Sequence, residues 1–241
     1  MSKKKARLKE KKDSQQTSSE SLFNYKINQR YHLSDKQLEF VNLARKEETK
    51  IILCDGVAGT SKTFLSVLIA LEMLKERKIN EIIYVRSIVE SASRSLGSLP
   101  GEMESKFYPY SIPLLEKCDE LIEPSVSNNL LKNGYIRCLP VNYLRGTTFK
   151  DCVVIIDENQ NNSRQEITTI ISRFGQNCKM FIIGDSFQSD IKESGFKLIF
   201  DAFNTEISQQ HGIFCKRFGK EDIVRSKLLR YIVEVLENIK K

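Results

Sequence analysis

The sequence predicts a three-layer α/β fold built on a mostly parallel sheet of five or six strands. Two observations predict it. Apolar runs of four to six residues alternate with helical patterns along the chain, which is how strands buried on both faces read. The first of these runs ends in a glycine-containing loop and passes into a helix that is apolar around most of its circumference, so that helix must be covered on more than one side. A chain of 241 residues suits one large domain or two small ones.

Residues 1–21 are Lys-rich and then Ser/Gln-rich, without apolar periodicity. They read as a disordered basic tail, and residues 22–241 read as one domain. The first 13 residues carry seven Lys and Arg against Glu10 and Asp13, a net +5 of the chain's +7. Such an arm either holds phosphate backbones without reading sequence or simply stays solvated. Ser34-Asp35-Lys36-Gln37 is a capping box opening a helix to about Arg45, with Leu38, Val41 and Ala44 facing inward. Ile51-Ile52-Leu53-Cys54 is a buried strand, and a helix follows from Lys62 to about Arg77. Glu81 to Arg86 is the next strand. Pro100, Pro109, Pro113 and Pro124 break residues 87–134 into short helices and loops. Further strands are expected at Tyr135 to Leu139, Cys152 to Ile156 and Met180 to Ile183. A second capping box, Ser163-Arg164-Gln165-Glu166, opens a helix to about Arg173. A strand near Ile213 to Phe218 and a helix from about Glu221 to Ile239 close the chain.

No run is apolar long enough to span a bilayer, and the basic start is followed by Ser and Gln, so neither a membrane span nor a secretory signal is expected. The six cysteines are scattered, none as CxxC, and His32 and His211 lie far from them in sequence. They read as small core hydrophobes in a reducing compartment, which makes the cytoplasm the expected location and a zinc site unexpected.

Gly56-Val57-Ala58-Gly59-Thr60-Ser61-Lys62-Thr63 lies between a strand and a helix, the context a phosphate-binding loop requires. Glycines let the backbone curl until successive N–H groups point at phosphate oxygens. The helix adds its free N–H groups and its positive dipole end. Lys62 would reach the β- and γ-phosphates, and the Thr63 hydroxyl would ligate Mg²⁺. Ser61 stands where glycine ordinarily precedes the lysine; serine keeps its N–H and suits a helix start, while adding a Cβ. Val153-Val154-Ile155-Ile156 delivers Asp157 and Glu158 to the same sheet edge. Asp157 would hold Mg²⁺ through its water shell, and Glu158 would polarise the attacking water as general base. The next strand ends in Gly184-Asp185-Ser186-Phe187-Gln188, a plain turn or a segment in which Gln188 touches both the γ-phosphate and the water. Gln37 either contacts an adenine edge or only completes its capping box. Arg86 and Arg145 either bind phosphate or pair with a carboxylate.

On these segments the chain resembles the PhoH family over about residues 30–240, a family of RecA-like ATPases often carried by bacteriophages. The matches are the loop from Gly56 to Thr63, Leu96-Gly97-Ser98-Leu99-Pro100-Gly101, Arg145-Gly146-Thr147, Asp157-Glu158-Asn159-Gln160-Asn161, Gly184-Asp185 with Gln188 and Asp190, and Asp222-Ile223-Val224-Arg225. Ser61, Asn159 and Ser87 stand where the family usually has Gly, Ala and Pro. The resemblance implies a RecA-like sheet with one strand between the loop-bearing strand and the Asp157 strand. It also implies hydrolysis of ATP with Mg²⁺, coupled in a helicase-like way to RNA or single-stranded DNA, with the tail and Arg86 as contacts. By analogy it further implies a homo-oligomer, a hexameric ring, in which Arg225 either acts as a catalytic arginine on the neighbour's ATP or is an ordinary exposed helix-start arginine pairing with Glu221 or Asp222. Two other readings share the loop: a thymidine-kinase-like phosphotransferase, which usually adds a paired-Cys zinc lasso, and a non-catalytic ATP-binding regulatory module.

Overall fold

A computed structural model describes residues 22–29, 31–86, 103–144, 146–189, 191, 194–224 and 226–239. The basic tail, Ser87, residues 96–101, Arg145, Asp190 and Arg225 lie outside the described residues. Six strands form one sheet in the order β3-β2-β4-β5-β1-β6, and every neighbouring pair is parallel. The strands are β1 Ile51–Gly56, β2 Glu81–Arg86, β3 Ile136–Pro140, β4 Cys152–Asp157, β5 Cys178–Gly184 and β6 Ile213–Phe218. Strand β5 lies between β1 and β4, the arrangement that the RecA-like resemblance implies.

Side chains alternate along each strand into two cores. Ile52, Cys54, Ile82, Tyr84, Val153, Ile155, Phe181 and Ile183 share one face with α1 (Asp35–Arg45), α2 (Lys62–Lys75) and α3 (Met103–Leu121). Leu53, Ile83, Val154, Ile156, Met180 and Ile182 share the other with α5 (Arg164–Ile171) and α6 (Phe196–Phe203). That is the three-layer plan, and it explains why these strands read as unbroken apolar runs. Both capping boxes form: Ser34 with Gln37, and Ser163 with Glu166. All six cysteines are unpaired, and Cys54, Cys118, Cys152 and Cys178 are buried. Among the described residues no helix is long and apolar enough to cross a membrane.

Several expectations need correction. In α1 the inward face uses Phe40, Val41 and Ala44, while Leu38 is 49% exposed, because the helix turns Phe40 toward Phe181 and Phe218. Pro109 and Pro113 do not divide the chain; α3 runs through both. Each of these internal prolines costs about 3 kcal/mol. Fully burying an aliphatic side chain contributes about 1.5–3 kcal/mol, and α3 buries Leu114, Cys118 and Leu121 completely and Leu115 almost so. Pro124 does act as a boundary, at the start of α4 (Pro124–Lys132). Helix α6 and the short α7 (Glu206–Gln210) occupy a stretch that periodicity leaves unassigned. The last helix, α8, is Lys227–Ile239; Lys220–Asp222 is a separate 3₁₀ turn.

Candidate active site

Because the strands are all parallel, the ends of β1, β4 and β5 open on one edge. Here β1 turns into the loop that precedes α2. Gly59 has φ +83°, a backbone that favours glycine, and a Cβ there would stand 2.5 Å from Leu229 Cδ2 and so displace that side chain of α8. Val57 is buried with Ile223 and Val233, which fixes α8 over the loop. Ser61 precedes α2 in the left-handed region, φ 64° and ψ 20°, and its side chain caps nothing. The serine is therefore held in the conformation glycine favours rather than acting as a helix-start hydroxyl. Left-handed backbone costs a non-glycine residue about 1–2 kcal/mol. Ser61→Gly is expected to raise stability by about 1 kcal/mol, read as a higher urea midpoint. A lower midpoint would show that the serine side chain holds the loop.

The Lys62 ammonium donates to the carbonyls of Gly56 at 2.5 Å and Val57 at 3.1 Å, so it lies across the loop mouth. Thr63 Oγ1 donates to the Asp157 carboxylate at 3.2 Å. The same carboxylate accepts the Tyr84 hydroxyl at 2.6 Å and the Glu158 N–H at 2.9 Å. Tyr84 is 1% exposed, and burial beside Asp157 pushes its phenol pKa far up, so it stays a donor. Glu158 is also left-handed, φ 54°. One carboxylate oxygen accepts Gln160 Nε2 at 2.7 Å, and the other lies 3.6 Å from Arg86 Nη2. Of the two readings for Arg86, the structure shows the carboxylate pairing. At that distance, and with both side chains partly exposed, the pair is weak.

At the end of β5, Asp185 is buried. One of its oxygens accepts the Phe187 N–H at 3.0 Å and the other has no partner among the described residues. Desolvation raises its pKa. Gln188 donates its N–H to the Asp185 carbonyl at 3.0 Å, and its side chain is exposed at the site. Ser186 is held from β1, where Asp55 accepts its hydroxyl at 2.5 Å and its N–H at 3.0 Å.

Gln37 is fully buried, and its amide is spent on the protein. Nε2 donates to Thr60 O at 3.0 Å and Asp222 O at 2.9 Å, while Oε1 accepts the Ser34 N–H at 3.0 Å. Asp222 in turn accepts the Ser34 hydroxyl at 2.6 Å. Gln37 thus braces the loop from behind, and reaching an adenine edge would break one of these bonds.

The loop, Asp157, Glu158, Gln160, Asp185 and Gln188 line one cavity of about 640 Å³, which Tyr31, His32 and Leu33 also border. The volume suits a nucleotide. A hydroxyl and a carboxylate in contact are hard oxygen donors that fit Mg²⁺. Sequence reasoning singled out Lys62, Thr63, Asp157, Glu158 and Gln188, and the structure brings all five together. It missed Tyr84 and Asp55, which look like ordinary strand residues. It also missed the bridging role of Gln160, although Gln160 stands inside a matched segment.

A family model described as "PhoH-like protein" matches residues 31–237. A PhoH-like protein of Synechocystis sp. is 32% identical over 205 residues, covering 84% of this chain and 60% of its own length. A PhoH-like protein of Bacillus subtilis is 33% identical over 201 residues, covering 83% of this chain and 62% of its own length. The chain therefore spans about three fifths of the length of these curated relatives. Among solved structures, the large terminase from a thermophilic bacteriophage aligns with a TM-score of 0.52 at 13% identity, over 83% of this chain and 50% of that one, a likeness of fold.

Proposed function

The chain belongs to the PhoH-like protein family, and from that premise we propose that it binds and hydrolyses ATP with Mg²⁺, coupled to RNA or single-stranded DNA. The observation that carries this reading is the convergence of Lys62, Thr63, Asp157, Glu158 and Gln188 on one cavity. Loop N–H groups and the Lys62 ammonium bind the phosphates and neutralise their charge. Thr63 and Asp157 are the residues that would hold Mg²⁺, which when bound neutralises charge developing on the phosphoryl oxygens. Glu158 accepts the proton of the attacking water, and Gln188 contacts the γ-phosphate and that water. In this reading Gln37 acts as a brace of the loop rather than a base contact. The test is the ATPase rate with and without RNA and single-stranded DNA, with particle mass measured on the same sample. A rate no faster than buffer, on folded protein, rejects hydrolysis.

Two finer parts of the reading have their own tests. The basic tail supplies phosphate contacts, so deleting residues 1–13, which carry +5, should weaken RNA binding and flatten its salt dependence. Unchanged affinity and slope would return the tail to a solvated role. The protein assembles as a homo-oligomeric ring, and Arg225 acts on the ATP of the neighbouring subunit, an effect worth about 10³-fold or more in related chemistry. Mixing Arg225→Ala subunits with Lys62→Ala subunits should partly restore activity, because some interfaces pair an intact loop with an intact arginine. A mixture that assembles but stays inactive excludes action in trans.

A further inference from the structure

Gln160 touches both halves of the site. It lies in the 3₁₀ turn Asn159–Asn161 after β4 and is 3% exposed. One end of its planar amide donates to Glu158 Oε2 at 2.7 Å. The other end, Oε1, accepts the Asp185 N–H at 3.0 Å, at the first position beyond β5. Its main-chain carbonyl accepts the Ser189 hydroxyl at 3.1 Å. Gln160 thus grips the first and last residues of the turn 185–189, whose middle carries Gln188. The approach is close: a Cβ on Gly184 would stand 3.1 Å from Gln160 N and 2.8 Å from Phe196 Cε1. A side chain at 184 would displace the Phe196 ring and press the two segments apart.

We infer that Gln160 is a positioning residue that couples the Gln188 turn to the Glu158 carboxylate, so that a change sensed by Gln188 at the γ-phosphate resets the general base. The inference rests on the hydrolysis reading for its consequence and on the hydrogen bonds for its mechanism. An amide is rigid and planar, so a shift of the Asp185 N–H at one end moves the donor at the other. Glu158 needs such a guide. Its other neighbour, Arg86, is 3.6 Å away, and a weak, partly exposed pair does not fix a carboxylate. No other side chain among the described residues bonds both Glu158 and the turn. Outer partners of this kind commonly change activity by about 10–100-fold.

Two variants separate the two ends of the amide. Gln160→Glu keeps an acceptor for the Asp185 N–H, removes the donor to Glu158 and sets a second carboxylate against it. Gln160→Met keeps the volume and removes both bonds. With Gln160→Glu, the second carboxylate buried beside Glu158 should lower the melting temperature while the protein stays folded, and turnover should fall about 10–100-fold. With Gln160→Met, amide hydrogen exchange over residues 185–189 should quicken, and the protection that a non-hydrolysable ATP analogue confers there in the parent should shrink. Adding Gln188→Ala to Gln160→Met should cost less than Gln188→Ala costs in the parent, because the share carried through Gln160 is already lost and only the direct contact of Gln188 remains. Parental turnover in Gln160→Glu, or full additivity in the double variant, overturns the coupling. A parent without ATPase activity rejects the hydrolysis reading instead. The exchange measurement then decides the clamp alone, and unchanged protection over residues 185–189 in Gln160→Met overturns it.

Discussion

Lys62→Ala is expected to abolish ATP turnover while the protein stays folded. The ammonium lies within 2.5 Å of Gly56 O and 3.1 Å of Val57 O, at the mouth where phosphate oxygens would arrive. It is the cation that the loop itself contributes. Removing one preorganised donor from a charge-stabilising site costs about 10²–10³-fold, and a charged donor costs more than a neutral one because its hydrogen bonds are roughly twice as strong. Stability should move little. The buried face of α2 is made of Leu65, Val67, Leu68, Ile69, Leu71 and Leu74, which the substitution leaves alone, and alanine is the best helix former. Phosphate release under saturating ATP and a thermal melt on the same preparation give the answer. Turnover at the parental rate would move the active site elsewhere on the molecule.

Glu158→Gln is expected to separate binding from chemistry. The amide keeps the shape and can still meet Gln160, but it cannot take a proton. Loss of a positioned general base costs about 10²–10⁴-fold. Nucleotide binding should persist, because the loop, Lys62, Thr63 and Asp157 are untouched, and the Tyr84 and Glu158 N–H bonds still hold Asp157. Single-turnover hydrolysis with a parallel binding titration distinguishes the outcomes. Equal losses in both would mean that Glu158 acts through the metal instead.

Much of this site was legible because its chemistry is local. A glycine-containing loop between an apolar run and a helix, and two acids at the end of another apolar run, are contiguous segments with one physical use each. The strands were legible for the same reason, since burial on both faces writes an unbroken apolar run. Helix ends with capping boxes were legible at Ser34 and Ser163, where the side chains that close the turn sit three residues apart.

What the sequence by itself determined, then, is the parallel α/β plan and the membership of the loop and the two acids in one sheet edge. Tertiary structure alone decided how those parts are held. Gln37 and Asp222 stand 185 positions apart, yet they share the bond that braces the loop. Gln160 meets Asp185 across 25 positions. Tyr84 meets Asp157 across 73. Gly59 meets Leu229 and Ile223 from the far end of the chain, so the loop's fit under α8 is set by residues that local sequence does not reveal. Proline in α3 was misjudged for a related reason: local propensity is worth a few kcal/mol, and buried side chains supplied by distant segments outweigh it. Periodicity records which face of an element is buried. It does not record which distant donor completes a carboxylate, because that depends on where folding brings the partner.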